Sequence, residues 1–314
     1  MFSRLSHSTK VALAFASVYL FWGSTYLAIR VAGEHLPVPV VSASRSTVST
    51  LIIIVVCLAT RRSLRVPAGE WWKLIVVGLL FMSANNMLLT WGETMISSGF
   101  ASLIVATLPI MVAILNGLLP GGDVMNRRAW AGTVLGMLGI AVLVWPSLER
   151  HRSAAGAHPL LGTVVVLGAA FCFAVGSVLS RRFRFQANTF VATGWEIGAA
   201  AIFNWIFALC AGSIPRAHWT LHGAEAIVYL SVFGSIFGLV AFTYLLQNVA
   251  VTKVATYAFV NPAIAVLLGV LLLGERMTKT EGAGMAIIIG AVAMVVYSRV
   301  QFGRKPLEAA APGS

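Results

Sequence analysis

Apolar runs of 18 or more residues, nearly free of charge, recur from one end of the chain to the other. Such runs are the signature of membrane-spanning helices, because about twenty apolar residues at 1.5 Å each cross the hydrocarbon core. Cut at charges and at Gly/Pro clusters, the pattern predicts ten spans, at 11–32, 39–60, 72–92, 97–119, 128–146, 159–180, 188–212, 224–246, 253–273 and 281–298. Most connections are short, so neighbouring helices run antiparallel. The predicted fold class is an all-α membrane protein in one integrated membrane domain.

The pattern also repeats. "SLIVATLPIMVAILNGLLPG" (102–121) aligns without gaps to "ATYAFVNPAIAVLLGVLLLG" (255–274), an offset of 153 that pairs Pro109 with Pro262, Leu115 with Leu268 and Gly121 with Gly274. The same offset pairs Gly23-Ser24 with Gly176-Ser177, and Thr90-Trp91 with Thr243-Tyr244. It carries span 1 onto span 6 and span 4 onto span 9, dividing the chain into repeats of five spans at 1–152 and 153–314. Five is odd, so the second copy enters the membrane in the opposite sense. Inverted repeats are the architecture of many secondary transporters, in which two similar halves exchange outward-open and inward-open shapes.

Composition agrees with this picture. Hydrophobic residues make up 59% and charged residues only 10% of the 314, against about 25% charged in soluble domains. The net charge of +12 does not point to nucleic acid. The basic residues cluster between spans, as in "RRSLR" (61–65) and "RRFR" (181–184), and that is the form topology signals take. With the N-terminus cytoplasmic, the inside segments hold fifteen Lys and Arg and the outside segments five, so both termini are expected in the cytoplasm. Span 1 follows Lys10 but exceeds a signal-peptide core in length and reads as a retained helix. Cys57, Cys172 and Cys210 lie within apolar spans, where no disulfide or thiol chemistry is expected. The six histidines fall in loops or tails, with no metal-ligand spacing.

"WGSTY" (22–26), the paired mid-span prolines, "YAFVNPAIAVLLG" (257–269) and "GE" (274–275) closing span 9 together resemble the EamA-type drug/metabolite transporter family, in the branch of YedA-like bacterial inner-membrane permeases. The resemblance covers nearly the whole chain. It implies a ten-helix, export-type carrier with spans 1, 3, 4, 6, 8 and 9 around a central cavity. The first copy departs from the pattern, with "GGD" (121–123) where the second has "GE".

Within the spans, polar and aromatic residues are the candidates for chemistry. Pro109 and Pro262, at matching positions, are read as helix kinks lining the site, since a broken helix is tolerated in the membrane where it borders a cavity. Tyr257 and Asn261, one turn apart, put a phenol and an amide on one face; their counterparts in span 4 are Ile104 and Leu108, so recognition at this layer is one-sided. Asn86, Thr90 and Glu93 form a stripe in span 3, flanked by Asn85 and Trp91. In span 8, Thr243 and Gln247, and Tyr244 and Asn248, are each four apart. Trp22 and Tyr26 offer an aromatic wall at mid-membrane. Ionisable groups at depth are functional candidates by default, which singles out Glu196 in span 7 and Arg45 in span 2. Two roles stay open for Glu196: a proton carrier, or an intramembrane ion pair with Arg45 or Arg30.

No G-x-x-x-x-G-K-[ST] sequence is present, which excludes an ATP-driven pump in this single chain. No cofactor, metal or catalytic constellation is called for, and the chain is not expected to be an enzyme. The sequence predicts a secondary transporter of the bacterial inner membrane, exporting a small amphipathic metabolite by alternating access. Amino acids are the substrate class implied by the resemblance. A lipid or lipid-precursor flippase and, less favoured, a membrane-embedded enzyme are the alternatives. The expected partners are the substrate and the bilayer, with either the proton gradient or the substrate gradient alone as driving force, and the chain is a monomer or homodimer.

Overall fold

The computed structural model describes residues 6–96, 98–119, 123–150, 159–273, 278–298 and 301–302. Among these, seven helices are long and apolar enough to cross a membrane, and Leu103–Gly117 is a shorter apolar helix. The remaining long helices are His7–His35 and Tyr257–Leu273. The only strands among the described residues are Asp123–Val124 and Gln301–Phe302, which pair antiparallel.

The predicted spans are retained as numbers here. Span 1 (His7–His35) starts at Ser6, whose side chain accepts the Thr9 N–H, and span 2 is Val38–Ala59. Span 3 (Ala68–Glu93) passes from α-helix into a π-helical stretch at Leu79–Asn85 and back into α-helix. Span 4 is two helices, Ser98–Val105 and Leu108–Gly117, and span 5 is Arg127–Arg150. Span 6 is Pro159–Phe183 and span 7 is Thr189–Cys210, whose Asn188 cap accepts the Phe190 N–H. Span 8 (Leu221–Asn248) carries its own π-helical stretch at Leu230–Leu239. Span 9 opens with a single turn, Val251–Val254, before Tyr257–Leu273. Span 10 (Lys279–Val296) begins with a capping box, in which Thr278 accepts from Glu281 N and the Glu281 carboxylate accepts from Thr278 N.

Packing follows the 153-residue offset. Span 2 lies along span 7 and span 5 along span 10, each helix against its own equivalent; span 1 meets span 9 as span 6 meets span 4. Adding 153 to Leu79–Asn85 gives 232–238, inside the π-helical stretch Leu230–Leu239. π-Helix is rare and concentrates at functional sites; here it recurs at equivalent places.

Loop contacts sort into two groups. The Gln186 N–H donates to Glu70 Oε1 (2.8 Å), Trp195 Nε1 to Leu64 O (3.0 Å) and Lys253 Nζ to Val296 O (2.7 Å), and His7 Nε2 lies 3.2 Å from Asn248 Oδ1. Apart from Trp195 in span 7 and Val296 in span 10, these residues belong to segments with the inside assignment. On the other side His218 N donates to His35 O at 3.3 Å.

Apolar side chains cover the outer faces of the spans, and polar side chains are buried within a largely apolar core. Span 2 turns Leu51, Val55 and Leu58 outward and buries Ser42, Arg45, Ser46 and Ser49 on its inward face. Each end of the cross-half pair is closed in the same way. After span 2, Arg61 N donates to Leu58 O and Arg62 N to Cys57 O; after span 7, Gly212 N donates to Leu209 O and Ser213 N to Ala208 O. This helix ending needs a left-handed residue, filled by Gly212 (φ 58°) and by Arg61 (φ 52°).

Candidate functional site

The inward faces of spans 1, 2, 3, 4, 6, 8 and 9 converge on a central cavity of about 80 Å³. That is room for two or three waters at about 30 Å³ each, well below the ~300 Å³ of a ligand pocket. The chain is therefore contracted around its site. A second, open groove of about 820 Å³ lies at the inside loops, lined by Arg62, Arg65, Gln186 and Asn188; it is remote from the intramembrane residues and is a surface feature.

Aromatic rings form one wall of the cavity. The Trp22 ring centroid is 4.8 Å from that of Tyr257 and 5.7 Å from that of Phe173, both edge-on, and Phe81 lies 4.8 Å from Phe173. Edge-to-face pairs of this kind contribute about 0.5–1.5 kcal/mol each beyond their buried area. Trp22 Nε1 donates to Gly234 O at 2.9 Å, which holds the indole against span 8. This contact needs glycine: a Cβ on Gly238 would stand 2.2 Å from Trp22 Nε1, and one on Gly234 2.7 Å from Arg45 Nη2.

Polar groups face this wall. Asn85 and Asn86, at the end of the π-helical stretch of span 3, border the cavity together with Arg45 and Asn261. Arg45 Nε donates to Ser235 Oγ at 3.0 Å and Nη1 reaches Asn86 Oδ1 at 3.5 Å. Asn261 is 3% exposed, and its Oδ1 has no hydrogen-bond partner.

Of the residues singled out from sequence, Trp22, Asn85, Asn86, Tyr257, Asn261 and Arg45 meet at this cavity. Thr90 is buried beside it, Glu93 is half-buried, and Tyr244 packs in the core under span 8. Trp91 is 45% exposed on the outer surface. The polar pairs of span 8 serve as ties near the inner edge: Gln247 Oε1 accepts from Thr189 Oγ1 at 2.8 Å, and Asn248 Nδ2 donates to Tyr244 O at 2.8 Å. The side chains of Tyr26 and Arg30, and the "GE" at 274–275, lie outside the described residues.

Among the described residues no ion pair joins Arg45 and Glu196. Arg45 bonds to neutral groups, and neither Glu196 carboxylate oxygen has a hydrogen-bond partner although the residue is fully buried. Glu196 sits where span 7 crosses span 3: a Cβ on Gly78 would come 2.1 Å from the Glu196 carbonyl oxygen. The two prolines also differ in use. Pro109 lies in the first turn of a new helix after a break at Ala106–Thr107, where its missing N–H costs nothing. Pro262 sits inside Tyr257–Leu273 and cannot donate to Ala258 O. The break in span 9 falls earlier, at Ala255–Thr256.

Sequence reasoning missed Thr25, Phe81, Phe173, Gly234 and Leu239 among the lining residues. The pair Gly234/Gly238, four apart in "GSIFG", was the available signal. Among the described residues no group of three His, Cys, Asp or Glu gathers to hold a metal.

A helical, apolar-surfaced molecule with a polar and aromatic cavity between its helices has the build of a membrane protein that handles a small molecule. The EamA-like transporter family model matches it twice, at residues 9–145 and again at 160–297, and the chain belongs to that family. It is 31% identical over 297 residues, 94% of each chain, to the "Uncharacterized inner membrane transporter YedA" of Escherichia coli strain K12. It is 24% identical to the "Uncharacterized transporter YvbV" of Bacillus subtilis strain 168, covering 91% of this chain and 92% of that one. A solved crystal structure, 20% identical, superposes with a TM-score of 0.75 over 92% of this chain and 98% of the other, a likeness of fold. As a transporter the chain acts on a small-molecule substrate and resides in a lipid bilayer.

Proposed function

We propose that the chain is a secondary transporter of the bacterial inner membrane, exporting small amphipathic metabolites such as amino acids by alternating access. It crosses the membrane ten times in two inverted five-span halves, with both termini cytoplasmic. The observation that carries this reading is the central cavity built from both halves, with π-helical stretches of equivalent spans 3 and 8 in its wall. A site shared by two similar halves is what alternating access requires, because each half must open while the other closes. The double match of the family model, the packing of each span against its equivalent, and the two-sided sorting of loop contacts support the same topology. The inner-membrane location rests on the relative's name and on the inside clustering of Lys and Arg. Trp22, Asn85, Asn86, Tyr257 and Asn261 bind the substrate in this reading, and Pro262 marks the bend about which span 9 yields.

Proteoliposomes tested with labelled amino acids, with and without a pH gradient, decide the question. Saturable counterflow of one or more is expected, and no movement of any member sinks the amino-acid reading. A Tyr257→Phe/Asn261→Leu variant that folds and transports normally refutes the proposed binding face. Transport that remains pH-dependent in Glu196→Gln removes Glu196 as proton carrier.

A further inference from the structure

Arg45 is more than the cavity needs for an apolar cargo. The residue is 8% exposed and sits eight residues into span 2, well inside the membrane. A charge at that depth is costly and is retained where it pairs or serves a pathway. Among the described residues every group facing it is neutral: Trp22 and Thr25 from span 1, Asn86 from span 3, Gly234 and Ser235 from span 8. No carboxylate among the described residues lies within ion-pair distance, Glu196 included. A guanidinium has five N–H donors in a fixed fork, and the two bonds it makes here, at 3.0 and 3.5 Å, leave most of that fork unused.

The surroundings are shaped to keep it so. Gly234 has no side chain to meet Nη2, where a Cβ would stand 2.7 Å away, so the guanidinium lies close against the backbone of span 8 with its charge still uncompensated. Ser235 fixes Nε and thereby aims the remaining donors at the cavity. On the opposite wall Asn261 Oδ1, buried and without a partner, is an acceptor awaiting a donor. The aromatic rings of Trp22, Phe81, Phe173 and Tyr257 supply an apolar face between them.

Building on the transport reading, we propose that Arg45 is the anchor for an anionic, carboxylate-class head group of the cargo. The planar fork of arginine matches a carboxylate with two parallel bonds, and the incoming anion supplies the countercharge that the protein omits. Asn261 takes a hydroxyl or ammonium donor from the same molecule, and the rings hold its apolar body. Organic cations are rejected, because they would set a second positive charge against Arg45 in a low-dielectric site. The specificity is thus for anions and zwitterions with an apolar body. Admission of such a molecule requires the walls to part beyond the present ~80 Å³.

The test is thermal unfolding of the purified protein in detergent, titrated with 3-phenylpropanoate, L-phenylalanine, L-phenylalaninamide and phenethylamine. Expected is a saturable rise in the midpoint with the two carboxylates, and roughly a hundredfold weaker effect with the amide and amine, the scale of losing one partner of a buried charge pair. Arg45→Gln should erase the preference and Arg45→Lys keep part of it. Equal stabilisation by the amine or amide, undiminished carboxylate binding in Arg45→Gln, or no stabilisation by either carboxylate overturns the anchor. If Arg45→Gln does not fold, the wild-type series alone decides. The readout needs no transport: carboxylate preference without counterflow overturns the transport reading and supports the anchor, whereas counterflow of phenethylamine at the rate of phenylalanine overturns the anchor only.

Discussion

Replacing Gly238 with alanine places a Cβ 2.2 Å from Trp22 Nε1 and 2.6 Å from its Cδ1. Ordinary contact needs about 3.4 Å, so the indole must retreat by roughly 3.4 − 2.2 = 1.2 Å. It has little room to do so. Phe173, Phe242 and Tyr257 ring it at centroid distances of 5.7, 5.0 and 4.8 Å. A shift of that size also stretches the 2.9 Å bond from Nε1 to Gly234 O beyond hydrogen-bonding range. Overpacking costs about 1–3 kcal/mol and a buried donor left unpaired about 1–3 kcal/mol more, so a loss of about 2–6 kcal/mol is expected. Thermal unfolding in detergent reads the stability, and tryptophan fluorescence reads the displaced indole. Gly33→Ala in span 1 is the control, since a Cβ there meets nothing within 4 Å. Gly238→Ala with an unchanged midpoint and spectrum would refute the claim that span 8 and Trp22 are fitted to one another.

Three further substitutions test other joints. Gly78→Ala drives a Cβ into the Glu196 carbonyl, a backbone atom that cannot swing aside, and should cost about 3 kcal/mol, read as a lower unfolding midpoint. Glu70→Ala strands the Gln186 N–H, held at 2.8 Å, and the Ala187 N–H, held at 3.4 Å; a loss of about 1–3 kcal/mol and faster proteolysis of the loop after span 6 are expected. Thr278→Ala breaks the capping box of span 10 and should cost about 1 kcal/mol, with faster amide exchange confined to its first turn.

The helical membrane class and six residues of the cavity were legible because each leaves a periodic or compositional mark. Apolar length announces a crossing, and a polar residue at mid-span must face protein. The π-helical stretches left none: "LLFMSAN" and "LSVFGSIFGL" compose an α-helix equally well, and only the neighbours they accommodate distinguish them. Phe173 and Phe81 were hidden for the opposite reason, since an apolar ring in an apolar span carries no sign of which way it points. Trp91 was misjudged by adjacency to Thr90, although consecutive helical residues diverge by about 100°. The Arg45–Glu196 pairing failed because near-equivalence under the offset is not proximity: Arg45 turns toward spans 3 and 8, while the Glu196 backbone abuts span 3 at Gly78. The prolines shared a register without sharing a role, because the chain breaks at Ala106–Thr107 in one half and at Ala255–Thr256 in the other.

Span 2 lies on span 7 and span 5 on span 10, so the longest seams in the molecule join each helix to its own counterpart. In an assembly of two identical chains such a seam is isologous, the same patch used by both partners about a two-fold axis. Here a seam of that kind lies within a single chain. A half expressed alone would present Ile53 or Gly194, which touch across the seam, to lipid or to another copy of itself. Two halves made as separate chains should therefore find one another, and a substitution in the seam acts on both halves at once.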